Sequence, residues 1–323
     1  MVAAVAIGYY FRGADKPAET DAEPNIPPRD VNTAQAVNEP PVEDPPSQQT
    51  VREERPPMPP TEIDAEPNVP SNMEVTALIG EALALMAKDP PELIQARDTL
   101  NKALVLKMNA RQRMFVKQQL ESMARQWLFT RDIYPSDRLC SSYKVQPGDQ
   151  LSTICSKYKV PYEIIMVLNN IARPELLQAG QTLKMIHGPF HATINRSTFT
   201  MDLFLQDAFV QNFRVGIGKP GRETPTGLWC VKNRMVRPPW TDPDTGKRYE
   251  PEDPDYPLGA RWIGLEGLEG PAKGREGFAI HGTKEPDEIG AAVSRGCIRM
   301  YNDDVTLVYD LLVPGESMVR VVD

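Results

Sequence analysis

The spacing of apolar residues changes along the chain and divides it into parts. From residue 74 onward, apolar side chains recur at intervals of three and four, which is typical of helices that bury one face. Pro90 opens a Pro-Pro pair that interrupts the pattern, and apolar faces return at 93–104 and 114–128. The pattern predicts a segment of two or three helices over residues 73–135, with no residues that indicate chemistry.

A different pattern begins at His191, where apolar and polar residues alternate as they do in strands that bury one face. The alternation continues to Phe213, and a further short apolar run occupies 278–280. We therefore expect residues 190–323 to form a domain that begins as an all-β structure.

Residues 141–187 show a third order of elements. A short strand around Tyr143 leads into a Pro-Gly-Asp turn at 147–149, and a helical face begins near Leu151. Pro161 ends that helix, a second helix follows, and a Gly-Gln pair precedes a second strand. This β-α-α-β order, with its Y-x-V-x-x-G-D-x-L opening and L-x-x-G-Q-x-L close, resembles the LysM domain.

The LysM resemblance implies a module that binds glycans containing N-acetylglucosamine, as in peptidoglycan or chitin. The implied groove lies between two loops and would be formed by Gly148, Asp149, Gln150, Asn170 and Ile171. The alternative interpretation is that these residues only build the fold, with Gly148 and Asp149 acting first as turn formers.

The N-terminal part differs from the rest in composition. Its apolar run at 2–11 has half of the roughly 20 residues that a membrane span needs. We interpret residues 1–12 either as a truncated membrane anchor or signal remnant, or as a floppy apolar terminus. Residues 13–72 are rich in proline and carry 13 acidic and 4 basic residues, which predicts a disordered spacer.

The formal net charge of −8 comes from this spacer, so the rest of the chain is close to neutral. No basic surplus is left to neutralise phosphates, and we expect no nucleic-acid partner.

Cys297 and His281 are the candidate catalytic residues. A thiolate is a strong nucleophile, but a free thiol has a pKa of about 8.5, so a base must take its proton. An imidazole, with a pKa of about 6.5, can do this near neutral pH. Gly296 precedes the cysteine and permits a tight turn whose amides face a developing oxyanion. Together, the thiol, the imidazole and the amides that face the oxyanion indicate acyl transfer.

The motifs H-G-T at 281–283 and S-R-G-C-I-R-M at 294–300, with T-P-T-G at 224–227, closely resemble the L,D-transpeptidase catalytic domain of the YkuD and ErfK type. The resemblance covers about residues 190–323 and implies a mainly-β, β-sandwich-like domain. It implies that Cys297 attacks the third residue of a tetrapeptide stem and releases the terminal D-alanine. The acyl group then passes to an amine and forms a 3-3 cross-link.

The resemblance also implies individual roles at the site. His281 would be the base, and the carbonyl of Gly282 would orient its ring. The amides of Gly296 and Cys297 would form the oxyanion hole.

Other positions would shape the pocket. Ser294 and Arg299 match motif positions, and Arg299 would either bind a carboxylate or brace the loop. A long insertion at 234–275, rich in proline, glycine and aromatic residues, is expected to be a lid or substrate wall. Its candidate wall residues, which could equally pin the loop, are Trp240, Tyr256 and Trp262.

These inferences predict a multidomain enzyme that is exported to the cell envelope or periplasm, acts on peptidoglycan and is tethered if its N-terminus is an anchor. Two alternatives are an L,D-carboxypeptidase, in which water resolves the acyl-enzyme, and a glycan-binding scaffold. No cofactor is expected, and three histidines without a Cys-x-x-Cys pair argue against a structural metal. Cys140 and Cys155 either form a disulfide or lie in the core.

Overall fold

The computed structural model describes residues 69–323. The predictions made for 1–12 and for the linker up to residue 68 lie outside this range. Within 69–323, no helix is both long enough and apolar enough to cross a bilayer.

Three helices occupy the N-terminal part of the described chain, as the apolar spacing predicts. They are α1 (Met73–Met86), α2 (Leu93–Leu104) and α3 (Ala110–Trp127). The side chain of Asn72 accepts a hydrogen bond from the N–H of Glu74 and caps α1, and Asn109 caps α3 in the same way. Such caps satisfy amides that have no partner inside the helix.

The β-α-α-β order of the LysM resemblance is present. The module consists of β1 (Cys140–Lys144), α4 (Leu151–Lys157), α5 (Tyr162–Asn169) and β2 (Thr182–Ile186). The two strands pair antiparallel, with Tyr143 opposite Leu183.

The C-terminal part is mainly β, as predicted. Its main strands are β3 (Phe190–Asn195), β4 (Thr200–Leu205), β5 (Ala208–Arg214), β7 (Gly227–Val236), β10 (Arg261–Glu269), β11 (Phe278–His281), β13 (Ile298–Arg299) and β14 (Met318–Val322). They form one eight-stranded mixed sheet in the order β13-β11-β10-β7-β14-β3-β4-β5, so the sandwich-like expectation is realised as a single sheet.

Smaller elements complete this domain. They are β6 (Ile217–Gly218), β8 (Trp240–Thr241), β9 (Arg248–Tyr249), β12 (Ala292–Ser294) and α6 (Asn302–Tyr309). Strands β6 and β12 form a parallel pair, and β8 and β9 form an antiparallel hairpin inside the insertion.

The helices cover the edge of the large sheet at β5. The Asn101 side chain accepts the N–H of Phe209 at 2.8 Å, and the Glu121 carboxylate accepts the N–H of Asn212 at 2.8 Å. These side chains satisfy backbone donors that an open sheet edge would leave exposed. The helical segment is therefore part of the same fold as the sheet.

Lys184 joins the LysM strand β2 to the helical segment. Its side chain is buried, and its ammonium donates to the carbonyl oxygens of Trp127 and Thr130 at the end of α3. Nearby, the buried guanidinium of Arg97 lies 2.8 Å from Asp137, just before β1. One continuous apolar core runs through the helices, the LysM module and the sheet.

Candidate active site

The candidate catalytic residues belong to two neighbouring strands and their flanks: His281 is the last residue of β11, and Cys297 directly precedes β13. Strands β11 and β13 pair parallel, with Ile280 opposite Ile298 and His281 opposite Arg299. Because side chains alternate between the two faces of a strand, His281 and Arg299 lie on the face opposite to the Ile280–Ile298 pair, and Cys297 directly precedes β13. The apolar pair is fully buried, and His281 at the end of β11 is buried as well.

Cys297 is half-buried. Its sulfur lies 3.9 Å from the carbonyl oxygen of Gly277, and the N–H of Ala279 donates to the sulfur. Desolvation raises the pKa of the Cys297 thiol to about 11, against a smaller lowering by the Ala279 amide. The resting group is therefore a thiol at neutral pH.

The imidazole of His281 is buried and fixed at one nitrogen. Its Nδ1 lies 2.6 Å from the carbonyl oxygen of Gly282, the contact that the family resemblance implies. A carbonyl only accepts, so Nδ1 carries the hydrogen and Nε2 keeps its lone pair. Burial lowers the pKa of His281 to about 4, and the nearby charge of Arg299 adds to the lowering.

Trp262 stacks on this imidazole. The two rings lie 5.7 Å apart with 13° between their planes. The contact follows from the register, because Trp262 is the direct cross-strand partner of His281 in the β10–β11 pair. The indole therefore helps to shield the imidazole from water.

Hydrogen bonds from two side-chain hydroxyls hold the loop that precedes Cys297. The hydroxyl of Ser294 donates to the carbonyl of Cys297 at 2.6 Å and accepts the N–H of Gly296 at 3.1 Å. The buried hydroxyl of Thr224 donates to the carbonyl of Gly296 at 2.8 Å and accepts the N–H of Gly218 at 3.1 Å. Ser294 thus shapes the turn, and the T-P-T-G motif supplies a second support.

Gly296 cannot readily be another residue. Its φ is +116°, and a Cβ there would lie 2.8 Å from a ring carbon of Phe278. Its amide is engaged by Ser294 in the resting structure. Of the two amides expected in the oxyanion hole, the one at Cys297 thus remains the first candidate.

Arg299 braces the site. Its side chain pairs with Glu288 and lies 3.8 Å from Glu285, while its backbone exchanges two hydrogen bonds with Gly216. Of the two roles expected for this residue, these contacts favour bracing over substrate binding.

The three candidate wall residues have different surroundings. Trp262 faces His281, as described. Tyr256 is buried, and its hydroxyl donates to the carbonyl of Pro238 at 2.6 Å. It therefore joins two parts of the insertion to each other. Trp240 packs against Tyr249 across the β8–β9 hairpin, with ring centroids 5.9 Å apart.

The predicted glycan residues lie in the two expected loops and mostly build them. Asp149 accepts hydrogen bonds from the Tyr143 hydroxyl and the Gln146 amide, which lowers the pKa of its carboxyl. Asn170 ends α5 with a φ of +54°, as a left-handed cap.

The remaining predicted loop residues have simpler surroundings. Gly148 has a φ of +86°, Ile171 is buried, and Gln150 is exposed.

All four cysteines are free thiols, so the possible Cys140–Cys155 disulfide is not formed. Burial raises the pKa of each of these two thiols to about 12, as expected for core residues. Across residues 69–323, no group of three or more His, Cys, Asp or Glu side chains is placed to hold a metal ion.

Sequence reasoning missed three residues at the site. Thr224 carries the second support of the nucleophile loop, and the T-P-T-G motif was its available signal. Asp242 and Asp244 reach the same loop from the insertion, and no motif marks them.

The fold and the site together define a mainly-β domain with a half-buried thiol directly before one strand and a buried imidazole at the end of the strand that pairs with it. The YkuD family, described as the L,D-transpeptidase catalytic domain, matches residues 189–321, and the LysM domain matches residues 143–185.

Relatives with assigned names agree with this match. A putative L,D-transpeptidase YkuD of Bacillus subtilis is 30% identical over 190 residues, which cover 56% of this chain and 98% of the relative. The Bacillus licheniformis protein of the same name is 28% identical over 186 residues, covering 55% and 97%. The putative L,D-transpeptidase YqjB of Bacillus subtilis is 34% identical over 134 residues, covering 41% and 71%. The chain belongs to the YkuD family of L,D-transpeptidases.

Among solved structures, an L,D-transpeptidase from Mycobacterium tuberculosis H37Rv matches with a TM-score of 0.34 at 16% identity. The match covers 45% of this chain and 64% of that one, just under two thirds of its length.

Proposed function

We propose that this protein cross-links peptidoglycan stems by cysteine acyl transfer, with Cys297 as the nucleophile and His281 as the base. The observation that carries the proposal is the pairing of β11 with β13, which brings the segment that bears the half-buried Cys297 next to the strand that ends in His281, whose Nδ1 is fixed and whose Nε2 keeps its lone pair. Family membership supports the reaction class.

In the first half-reaction, Cys297 Sγ attacks the carbonyl carbon of the third stem residue and its proton passes to His281 Nε2. The C–N bond to the terminal D-alanine breaks, and the imidazolium returns the proton to the leaving amine. A thioester remains on the sulfur. Because both groups are neutral at rest, proton transfer accompanies attack and no standing thiolate is needed.

In the second half-reaction, an amine of a neighbouring stem attacks the thioester. It gives a proton to the imidazole, the C–S bond breaks, and the sulfur recovers a proton. The new amide joins two third-position residues, which is the 3-3 link. The amide of Cys297 is our first candidate to stabilise the oxyanion in both steps.

We further propose that the LysM module holds the glycan while the stem reacts. Peptidoglycan lies outside the cytoplasmic membrane, so this function requires export to the cell envelope or periplasm. Residues 1–12 would supply a tether if they are an anchor. The continuous core between the module and the sheet supports a fixed relation between sugar docking and chemistry.

The test is product analysis with a disaccharide-tetrapeptide, with and without a second stem as the amine acceptor. A transpeptidase yields the dimer and free D-alanine, and a carboxypeptidase yields only the tripeptide and D-alanine. Cys297→Ala should abolish every product while keeping retention on insoluble peptidoglycan. Products from Cys297→Ala, or none from the wild type, would refute the proposal.

A further inference from the structure

The insertion between β7 and β10 reaches both halves of the site. At its C-terminal end, Gly259 packs on Gly282, and the amide of Ala260 donates to the Asn302 side chain at 2.9 Å. Asn302 in turn donates to the carbonyl of Thr283 at 2.9 Å. This end is therefore anchored beside the base.

The other end of the insertion reaches the nucleophile loop through ion pairs. Arg295 Nη1 lies 2.9 Å from Asp242 Oδ2, and its Nε lies 3.0 Å from Asp244 Oδ2. Arg222 Nη1 lies 3.0 and 2.8 Å from the two oxygens of Asp244. We call these four residues the clasp. Arg295 is two positions before Cys297, so the clasp ends at the loop that presents the thiol.

The turn of the hairpin aims both carboxylates at the clasp. The second oxygen of Asp242 accepts the amides of Asp244 and Thr245 at 2.8 and 3.2 Å. The Asp242 side chain is 11% exposed, whereas those of Arg295 and Asp244 are 38% and 39% exposed. The Asp242–Arg295 pair is therefore the inner and less screened one.

The β8–β9 hairpin has little strand pairing of its own to hold it in place. Strands β8 and β9 pair through only two residue pairs and are not part of the eight-stranded sheet. An isolated two-stranded hairpin is marginal in water. Its aromatic contact, Trp240 on Tyr249, lies within the hairpin and does not fix it to the domain. The clasp therefore supplies the ion pairs that join the hairpin to the nucleophile loop.

We propose that Arg295 is a positioning residue whose forked contact with Asp242 and Asp244 holds the hairpin as a wall of the site that binds the acyl-donor peptide. The inference deepens the proposed function and rests on it. Guanidinium presents two directed donors to two carboxylates, which a lysine ammonium cannot match. A stem peptide long enough to meet the wall depends on it, and a small reagent for the thiol does not.

The test compares Arg295→Gln and Asp242→Asn with the full wild-type chain. Asp242→Asn keeps an oxygen for the turn and removes the charge. With a disaccharide-tetrapeptide donor, each variant should raise KM about tenfold, as expected for loss of binding that is equal in ground and transition states, with kcat within about threefold. Alkylation of Cys297 by iodoacetamide should keep its rate within about twofold and keep its pH dependence.

Three further variants separate a clasp from a general loss of structure. The double variant Arg295→Gln/Asp242→Asn should be no worse than the poorer single variant, since both break one interaction. Arg295→Lys should give an intermediate KM. Glu250→Gln, which removes the exposed Arg248 pair in the same hairpin, is the matched control and should behave as wild type.

The proposed role of the clasp would be contradicted by an unchanged KM in Arg295→Gln or by additive effects in the double variant. A shift in the pH dependence of Cys297 alkylation would contradict it as well. Wild-type protein that is alkylated at Cys297 but releases no D-alanine would instead refute the proposed function.

Discussion

His281 Nδ1 lies 2.6 Å from the carbonyl oxygen of Gly282, its own neighbour in the chain. This contact selects the imidazole tautomer without any carboxylate. The ring is then an uncharged base whose affinity for protons is kept low by burial, with Trp262 stacked on one face. The site therefore works with neutral partners, and its pH dependence should show this.

The first prediction concerns Trp262. Burial holds the pKa of His281 at about 4, so the acid limb of kcat/KM should have its midpoint near that value, with activity lost as pH falls through it. Trp262→Ala admits water, raises the pKa toward 6.5, and should move the limb to higher pH. Trp262→Phe keeps an apolar ring and should move it less. If the midpoint of the acid limb is unchanged in Trp262→Ala, the indole does not shield the imidazole from water.

The second prediction concerns the resting thiol. With a pKa of about 11 for Cys297, the rate of alkylation by iodoacetamide should keep rising from pH 7 to pH 10. A preformed thiolate–imidazolium pair would instead give a plateau in this range, and that result would contradict the neutral pair. His281→Ala should slow acylation by the donor by roughly 10²–10⁴-fold.

The third prediction concerns Thr224, which supports the nucleophile loop from a buried position. Thr224→Val keeps the shape but leaves the Gly296 carbonyl and the Gly218 amide without this hydroxyl. The free energy of unfolding should fall by about 1–3 kcal/mol, the usual cost of unsatisfied buried groups. Denaturant unfolding and donor turnover measure the two effects. Thr224→Ser, the matched control, retains the hydroxyl and should retain most of both.

The fourth prediction concerns Lys184. Lys184→Met removes the ammonium that binds the carbonyls of Trp127 and Thr130, and should lower the free energy of unfolding by about 1–3 kcal/mol. Lys144→Met, on the exposed side of the paired strand, is the control and should change it little. Equal stability of the two variants would show that this link does not hold the LysM module to the helices.

Local patterns predicted most of the elements because apolar spacing responds directly to which face is buried. The three helices and the β-α-α-β module follow from it. The sheet order does not, since β14 lies between β7 and β3 only once distant segments have met.

The site shows the same division. Cys297 and His281 stand out because their motif is local, and the Gly282 contact joins adjacent residues. The position of Trp262 depends on the β10–β11 register, and the position of Asp242 depends on how a long insertion folds back. The spacing of residues along the chain indicates neither position.

The most direct test is the mass of the protein quenched during turnover of a tetrapeptide donor. The account predicts an adduct equal to the donor minus its terminal D-alanine, bound to the peptide that contains Cys297. It should disappear when an amine acceptor is added and be absent in Cys297→Ala. An adduct on another residue, or turnover that survives in Cys297→Ala, would contradict the account.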